Sequence, residues 1–295
     1  MIAICLDENY STTRLVTKEK PKIVNNPEDK FESVLFLPEG EGRKGEGGLR
    51  TRGYFKKSYE DKPLISIITV VLNGEKYLEE TIQSVINQTY DNVEYIIIDG
   101  GSTDGTLDII KKYEDRIDYW VSEKDKGLYD AMNKGWSLID GDSRILFLGA
   151  GDRVKFLPSE EELLKFRDYV IYGKVELDKS IFNSTHGWKL NLGNTLHHQA
   201  LLIPKTLHKT PPFNIKYPTY ADYDFNLRLY NANNKFHYSE SFVGYAMPDG
   251  ISAELKIIEM SNISFKNSGF IWGGLSLAYC FYHYLRIKLN LVFKR

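Results

Sequence analysis

The run Leu64-Ile-Ser-Ile-Ile-Thr-Val-Val-Leu72 is apolar and β-branched almost without interruption. A strand with no polar face must be covered on both sides, which is the environment of a parallel sheet with helices on each face. Asn73-Gly74 ends the run. Leu78, Ile82, Val85 and Ile86 then recur at helical spacing, with Glu79, Glu80 and Gln83 on the other side. The alternation repeats. Val93–Asp99 reads as a second buried strand, and Gly100-Gly-Ser-Thr-Asp-Gly105 turns into a helix carrying Leu107, Ile110 and Tyr113. Tyr119–Val121 is a short third strand, Leu128–Ile139 a helix and Arg144–Leu148 a fourth strand. Strand and helix alternating at these lengths predict an α/β fold, with a doubly wound, mostly parallel sheet flanked by helices and joined by right-handed crossovers.

The rest of the chain is less regular. Asp168–Val175 and Ala200–Ile203 read as strands, Tyr223–Asn231 as a helix and Phe236–Ala246 as extended. Residues 1–62 read as an N-terminal extension. Their only apolar stretches are Ile2–Leu6 and Val34–Leu37, and the glycine-rich, charged segment Glu39–Arg50 favours loop. The core is expected over residues 63–255, and residues 256–295 form an amphipathic helical tail. Phe270–Leu285 holds no charge apart from His283, and from Met260 onward there are five Lys or Arg and no Asp or Glu. That uncharged run of 16 is shorter than the ~20 residues a membrane-crossing helix needs. A helix lying on an anionic membrane surface fits it better, and packing on the domain or on a partner subunit is the alternative.

With 42% apolar residues among 295, the chain can bury a substantial core. A net charge of -2 gives no basic field for nucleic acid. Two distant cysteines, Cys5 and Cys280, make a disulfide framework unexpected and suit a reducing cytoplasm. The opening MIAICLDENYS has no basic n-region and no long apolar run, so no signal peptide is expected.

In an open parallel sheet, ligands sit beyond the carboxyl ends of the strands. Four successive strands here end in small and acidic residues. The first delivers Val70, Val71 and Asn73, the second Asp99, Gly100, Gly101 and Ser102. Ser122–Asp130, with Lys126, follows the third, and Gly149-Ala-Gly-Asp152 the fourth. Asp99 at a strand end suits a base N–H or ribose hydroxyl, although Asp99 or Ser102 would also serve as a helix cap. Asp152 suits a hard divalent cation, Mg²⁺ or Mn²⁺, shared with phosphate oxygens, although a turn aspartate also bonds its own backbone. Asp222, near a helix start in Thr219-Tyr-Ala-Asp-Tyr-Asp-Phe-Asn-Leu-Arg228, is the candidate general base. Asp224 and Arg228 stand at i and i+4 and suit a helical ion pair. Of His197 and His198, at most one faces the site, and His198 is the candidate for a metal or phosphate.

Residues 64–252 resemble a bacterial family 2 glycosyltransferase of the GT-A fold. The resemblance is carried by Ser66-Ile-Ile-Thr-Val-Val-Leu-Asn73, Tyr77–Thr89, Ile98-Asp-Gly-Gly-Ser-Thr-Asp-Gly-Thr106, Ser122–Gly135 and Ala221–Leu229. It implies that Val70, Asn73 and Asp99 line a nucleotide pocket, with Asp130 nearby. It also implies that Asp152 is the last position of an acidic metal motif and that Asp222 is the catalytic base. The reaction implied is inverting transfer from a nucleoside-diphosphate sugar, UDP- or GDP-linked, to a glycan or lipid-linked glycan. The Gly127-Leu-Tyr-Asp-Ala-Met-Asn-Lys-Gly135 version resembles transferases of capsule, exopolysaccharide and O-antigen assembly, a setting at the inner face of the plasma membrane. Two departures stand out. Ala150-Gly151 leave the acidic motif a single aspartate, and Met132 takes the place of an arginine, which leaves Lys126 or Lys134 as the available cation. Competing readings are a non-catalytic sugar-nucleotide or carbohydrate-binding module, and a nucleotidyltransferase, to which Leu72–Lys76 is a poor match.

Overall fold

The computed structural model describes residues 3–23, 25, 30–207, 211–248 and 256–292. Its first half runs β1 (Gly45–Gly47), β2 (Leu64–Val71), α1 (Leu78–Ile86), β3 (Val93–Asp99), α2 (Thr106–Lys112), β4 (Tyr119–Ser122), α3 (Leu128–Ser137) and β5 (Ser143–Gly149). There follow β6 (Arg153–Phe156), α4 (Glu160–Lys165), β7 (Val170–Leu177), β8 (Ser180–Phe182), β9 (Leu201–Pro204), α5 (Ala221–Asn231), β10 (Phe236–Tyr245), α6 (Ile257–Ser268) and α7 (Phe270–Val292). The boundary expected after residue 255 adjoins residues 249–255, which lie outside the described residues, as does Ile2 of the first apolar stretch.

Every position of β2 is buried. The strand is parallel to β3 on one side and to β5 on the other, and β3 is parallel to β4. Alternate side chains divide between two cores. Ile65, Ile67, Tyr95 and Ile97 pack with Leu78, Ile82 and Val85 of α1. Ile68, Val70, Ile96 and Ile98 pack with Met132 and Trp136 of α3 and Phe225 of α5. Helix α3 comes close because it has no side chain at Gly135, where a Cβ would lie 2.4 Å from Ile68 Cγ2. This is the doubly wound α/β arrangement. Beyond β5 the sheet becomes mixed, in the order β1-β4-β3-β2-β5-β9-β7-β10-β6, with β8 on β7. β9 runs antiparallel to both β5 and β7.

The N-terminal segment supplies more than loop. β1 pairs antiparallel with β4 and extends the sheet. Its backbone ladder needs no apolar periodicity, which is why a glycine-rich sequence gave no strand signal. Behind it, Arg50 reaches Glu94 near the start of β3 at 2.7 Å, and both side chains are 4% exposed. Arg50 also donates to Leu138 O at 3.0 Å, while Ser66 Oγ donates to the other Glu94 oxygen at 2.7 Å. The segment is therefore tied to the sheet by charge. At the other end, α6 packs against α5 and α7. Among the described residues no helix is long and apolar enough to cross a membrane.

Removing one partner of a buried ion pair leaves an uncompensated charge and costs about 3–5 kcal/mol. Arg50→Met should lower unfolding free energy by that order in denaturant titration, and Arg50→Met with Glu94→Met should recover most of it. Equal loss in single and double variants would show that the pair itself is not the anchor.

Candidate active site

Asp99 closes β3, opposite Val71 of β2, and is fully buried. A buried carboxylate needs donors. It accepts from Ser102 N–H at 3.0 Å, from the Ser102 hydroxyl, and from Ser122 Oγ at the end of β4. Asn73 has a left-handed backbone, φ 51°, that turns its N–H onto Ser102 Oγ at 2.7 Å and its side-chain oxygen to Thr103 N–H at 2.9 Å. Val71, Asn73, Asp99 and Ser102 therefore share one corner beyond the strand ends, with Val70 buried beneath. Ser122 was not singled out from the sequence. Its position as the last residue of a strand was the available signal.

Asp130 stands in the first turn of α3 and accepts the Lys126 backbone N–H at 3.0 Å. Lys126 thus enters this corner through its main chain, with an exposed side chain. Lys134, the other lysine considered for phosphate, is committed to Glu123 Oε1 at 2.7 Å.

A second group forms beyond β5. Asp152 is buried, and its Oδ2 accepts Gly149 N–H at 2.9 Å and Gln199 Nε2 at 3.0 Å. Its Oδ1 accepts Met247 N–H at 3.1 Å. Asp222 lies in the first turn of α5, where the helix dipole favours a negative charge. Its Oδ1 accepts Tyr223 N–H at 2.8 Å and the Tyr129 hydroxyl at 3.2 Å, and its Oδ2 accepts Asn194 Nδ2 at 3.1 Å. His198, on a 3₁₀ turn leading into β9, stands between the two: Nδ1 is 3.5 Å from Asp222 Oδ2 and Nε2 is 3.8 Å from Asp152 Oδ2. His197 points away, its ring centroid 4.2 Å from that of Phe182. Burial alone would lower the His198 pKa, but the two carboxylates outweigh it and raise it to about 9. Burial likewise opposes ionisation of Asp222, and contact with His198 reverses the balance and holds its pKa below the usual range.

Asp152, His198 and Asp222 are thus brought together directly. Asp99 lies one corner away, since β2 separates β3 from β5 by two strand spacings, about 10 Å. Asp224 is taken up elsewhere, pairing with Arg228 at 2.9 Å and accepting Asn267 Nδ2 from α6. Gln199 and Asn194 also belong to the site with no pattern in the sequence to mark them, as does Tyr129, which lies within the Gly127–Gly135 motif. An open cavity of about 560 Å³ between β6, β10 and the start of α4, lined by Phe156, Pro158, Lys174 and Glu240, contains none of these groups.

Among the described residues no three His, Cys, Asp or Glu are arranged as a complete metal cage. The residues present fit a more open arrangement. Asp152 presents a carboxylate, and beside it the buried Gln199 Oε1 has no donor among the described residues. Such a donor set suits a divalent cation that takes further oxygens from a phosphate.

Comparison with known proteins identifies the family. The profile described as "Glycosyl transferase family 2" matches residues 66–200. A PGL/p-HBAD biosynthesis glycosyltransferase of Mycobacterium bovis (strain BCG / Pasteur 1173P2) is 32% identical over 181 residues, covering 57% of this chain and 70% of that protein. An uncharacterized glycosyltransferase of Haemophilus influenzae is 26% identical over 221 residues, covering 64% and 67%. Among solved structures, S. aureus TarS 1-349 in complex with UDP superimposes with a TM-score of 0.52 at 17% identity, covering 68% of this chain and 63% of that one. This chain covers 38% of the longer TarS chain. At such identity the likeness bears on the fold.

A histidine pKa raised from its ordinary 6.5 contributes stability that is complete below pH 6.5 and lost as pH rises through about 9. In metal-free buffer, the stability difference between wild type and His198→Gln should shrink by about 3 kcal/mol over that window. Taking the difference removes the contributions of Asp118 and Lys56, shifted to about 7 and about 8, which titrate in the same range. A difference independent of pH, measured by denaturant unfolding at pH 6 and 9.5, would show that the imidazole is not charged between the carboxylates.

Proposed function

This chain belongs to glycosyl transferase family 2, and on that premise we propose that it moves a sugar from a UDP- or GDP-linked donor to a hydroxyl of a glycan or lipid-linked glycan, with inversion. The observation that carries the reading is the single His198 imidazole shared by Asp152 and Asp222, which sets a donor-side carboxylate beside a candidate base.

The corner of Asn73, Asp99 and Ser102, with Val70, Val71 and the Lys126–Asp130 turn, receives the nucleoside. Asp152 would hold Mg²⁺ or Mn²⁺, which when bound neutralises charge on the diphosphate, and the charged His198 imidazole would face the same phosphate oxygens. Asp222 acts on the acceptor. Its carboxylate takes the hydroxyl proton as that oxygen bonds to the anomeric carbon from the face opposite the departing nucleoside diphosphate. The C–O bond to the diphosphate breaks with its electron pair, and Asp222 is left protonated. Tyr129, Tyr223 N–H and Asn194 hold the carboxylate toward its task.

A lipid-linked acceptor implies work at a membrane, and we read the tail as a peripheral contact with an anionic surface at the cytoplasmic face. Supporting this, α7 turns Phe270, Ile271, Phe281 and Tyr282 outward, Phe270 being 80% exposed, and α6 adds Ile258 and Phe265. Arg286 provides positive charge at its far end, and Lys294 and Arg295 lie outside the described residues.

A screen of nucleotide sugars for Mn²⁺-dependent turnover tests the central proposal, with UDP donors first because TarS is known in complex with UDP and UDP-GlcNAc. Asp222→Asn should lower kcat about 10²–10⁴-fold with donor KM little changed. Turnover within tenfold of wild type would remove Asp222 as base.

Replacing Phe270, Ile271, Phe281 and Tyr282 by serine should abolish co-sedimentation with phosphatidylserine-containing vesicles, because each apolar side chain withdrawn from the interface weakens binding. Unaltered sedimentation would assign the tail a role away from lipid.

A further inference from the structure

We infer that residues 40–45 of the N-terminal segment form one wall of the nucleotide corner, with Lys44 positioning the turn that carries Ser102. The inference rests on the donor reading above and adds a segment outside the family match to it.

The segment lies along the end of β4. Lys44 N–H donates to Ser122 O at 2.8 Å, and Lys124 N–H donates to Glu41 O at 3.1 Å. Ser122 is the residue whose hydroxyl caps Asp99, so the arm is seated on the donor corner itself. From there the Lys44 ammonium crosses to the turn after β3 and donates to Gly101 O at 3.0 Å and Ser102 O at 2.7 Å. That turn contains two consecutive glycines, with Gly101 at φ 86°, so its own backbone holds it weakly. Asn73 and Asp99 hold the Ser102 side chain and N–H, and Lys44 adds a hold on the carbonyls of Gly101 and Ser102. Those carbonyl contacts are made by an exposed lysine, which gives up side-chain freedom to make them. A lysine serving only solubility would not be held on two carbonyls of a binding turn.

The seat is shaped for the arm. Arg43 Nε and Nη2 both reach Glu123 Oε2, at 2.9 and 2.6 Å, while Lys134 takes Oε1. Gly40 lies against the same carboxylate, and a Cβ there would fall 2.3 Å from Glu123 Oε2. Arg43 and Lys134 thus hold one glutamate whose own N–H donates to Asp99 O at 3.0 Å, while the Lys44 ammonium sits on the neighbouring turn. Two of the three N–H donors of Lys44 are on carbonyls, and the third is available to a nucleotide oxygen.

The test is titration of UDP and GDP, with Mn²⁺, into the full chain, Lys44→Met, Lys44→Arg and Asp99→Asn by calorimetry. Lys44→Met should weaken the nucleotide that binds wild type about tenfold, as expected for loss of a charge-assisted contact. Its thermal midpoint should stay within about 2 °C, since the side chain is exposed. Lys44→Arg, which keeps the charge and the donors, should restore most of the affinity. Full affinity in Lys44→Met alongside lost affinity in Asp99→Asn would overturn this inference and leave the donor reading standing. A loss matched by an equal fall in thermal midpoint in both Lys44 variants would also overturn it, making Lys44 a folding residue. If wild type bound neither nucleotide, the donor reading would fail and this inference with it.

Discussion

Two largely buried carboxylates, from parts of the chain 70 residues apart, share one imidazole. Contact with it holds the Asp222 carboxyl below its usual range, against the burial that opposes ionisation. Much of the second half of the fold serves this contact. His198 comes from a turn that runs straight into β9, and β9 is clamped antiparallel between β5 and β7. β5 delivers Asp152 on one side of that turn, and α5 delivers Asp222 on the other. The turn is further confined by β10, where Gly244 passes so close that a Cβ would lie 2.3 Å from Gln199 O. The switch from a parallel to a mixed sheet after β5 is therefore what allows a histidine to reach between the two aspartates.

The donor corner follows a different logic. Asp99 is surrounded by hydroxyls, and the Asn73 N–H donates to the same Ser102 hydroxyl that donates to Asp99. Such a chain polarises from end to end. It also holds Asn73 in its left-handed conformation and links the ends of β2 and β3 more firmly than the ladder does alone. The corner is thus preorganised before any nucleotide enters, and the arm over β4 completes it from outside.

The parallel block was legible because burial on both faces leaves an unbroken apolar run, as in Leu64–Val71 and Val93–Asp99. Asp99 and Asp152 were legible because each stands at or just past the carboxyl end of such a strand, where ligands of a parallel sheet sit. Ser122, Gln199 and Asn194 were not legible, because what matters about them is the direction of one hydrogen bond, and their residue types are common everywhere. Lys126 shows the same limit, since its backbone rather than its ammonium meets Asp130. β6, β8 and α4 are short enough that local pattern carries little weight against tertiary pairing. The arm was missed for a further reason: its attachment uses a backbone ladder and the Arg50–Glu94 pair, neither of which leaves an apolar period.

A carboxylate steadied by a neighbouring cation is a weaker base than a free one. Asp222 in the free protein is in that condition, its proton affinity reduced by His198. On the proposed reading, the diphosphate arrives on the Asp152 side of the imidazole and competes with Asp222 for the same positive charge. Whatever charge is drawn toward the phosphate is withdrawn from Asp222, which then binds a proton more tightly. The strength of the base is in this way tied to occupancy of the donor site, through one side chain that touches both. An acceptor hydroxyl meeting the site before the donor would find the carboxylate poorly able to take its proton, so the placement of His198 favours an order in which the donor is bound first.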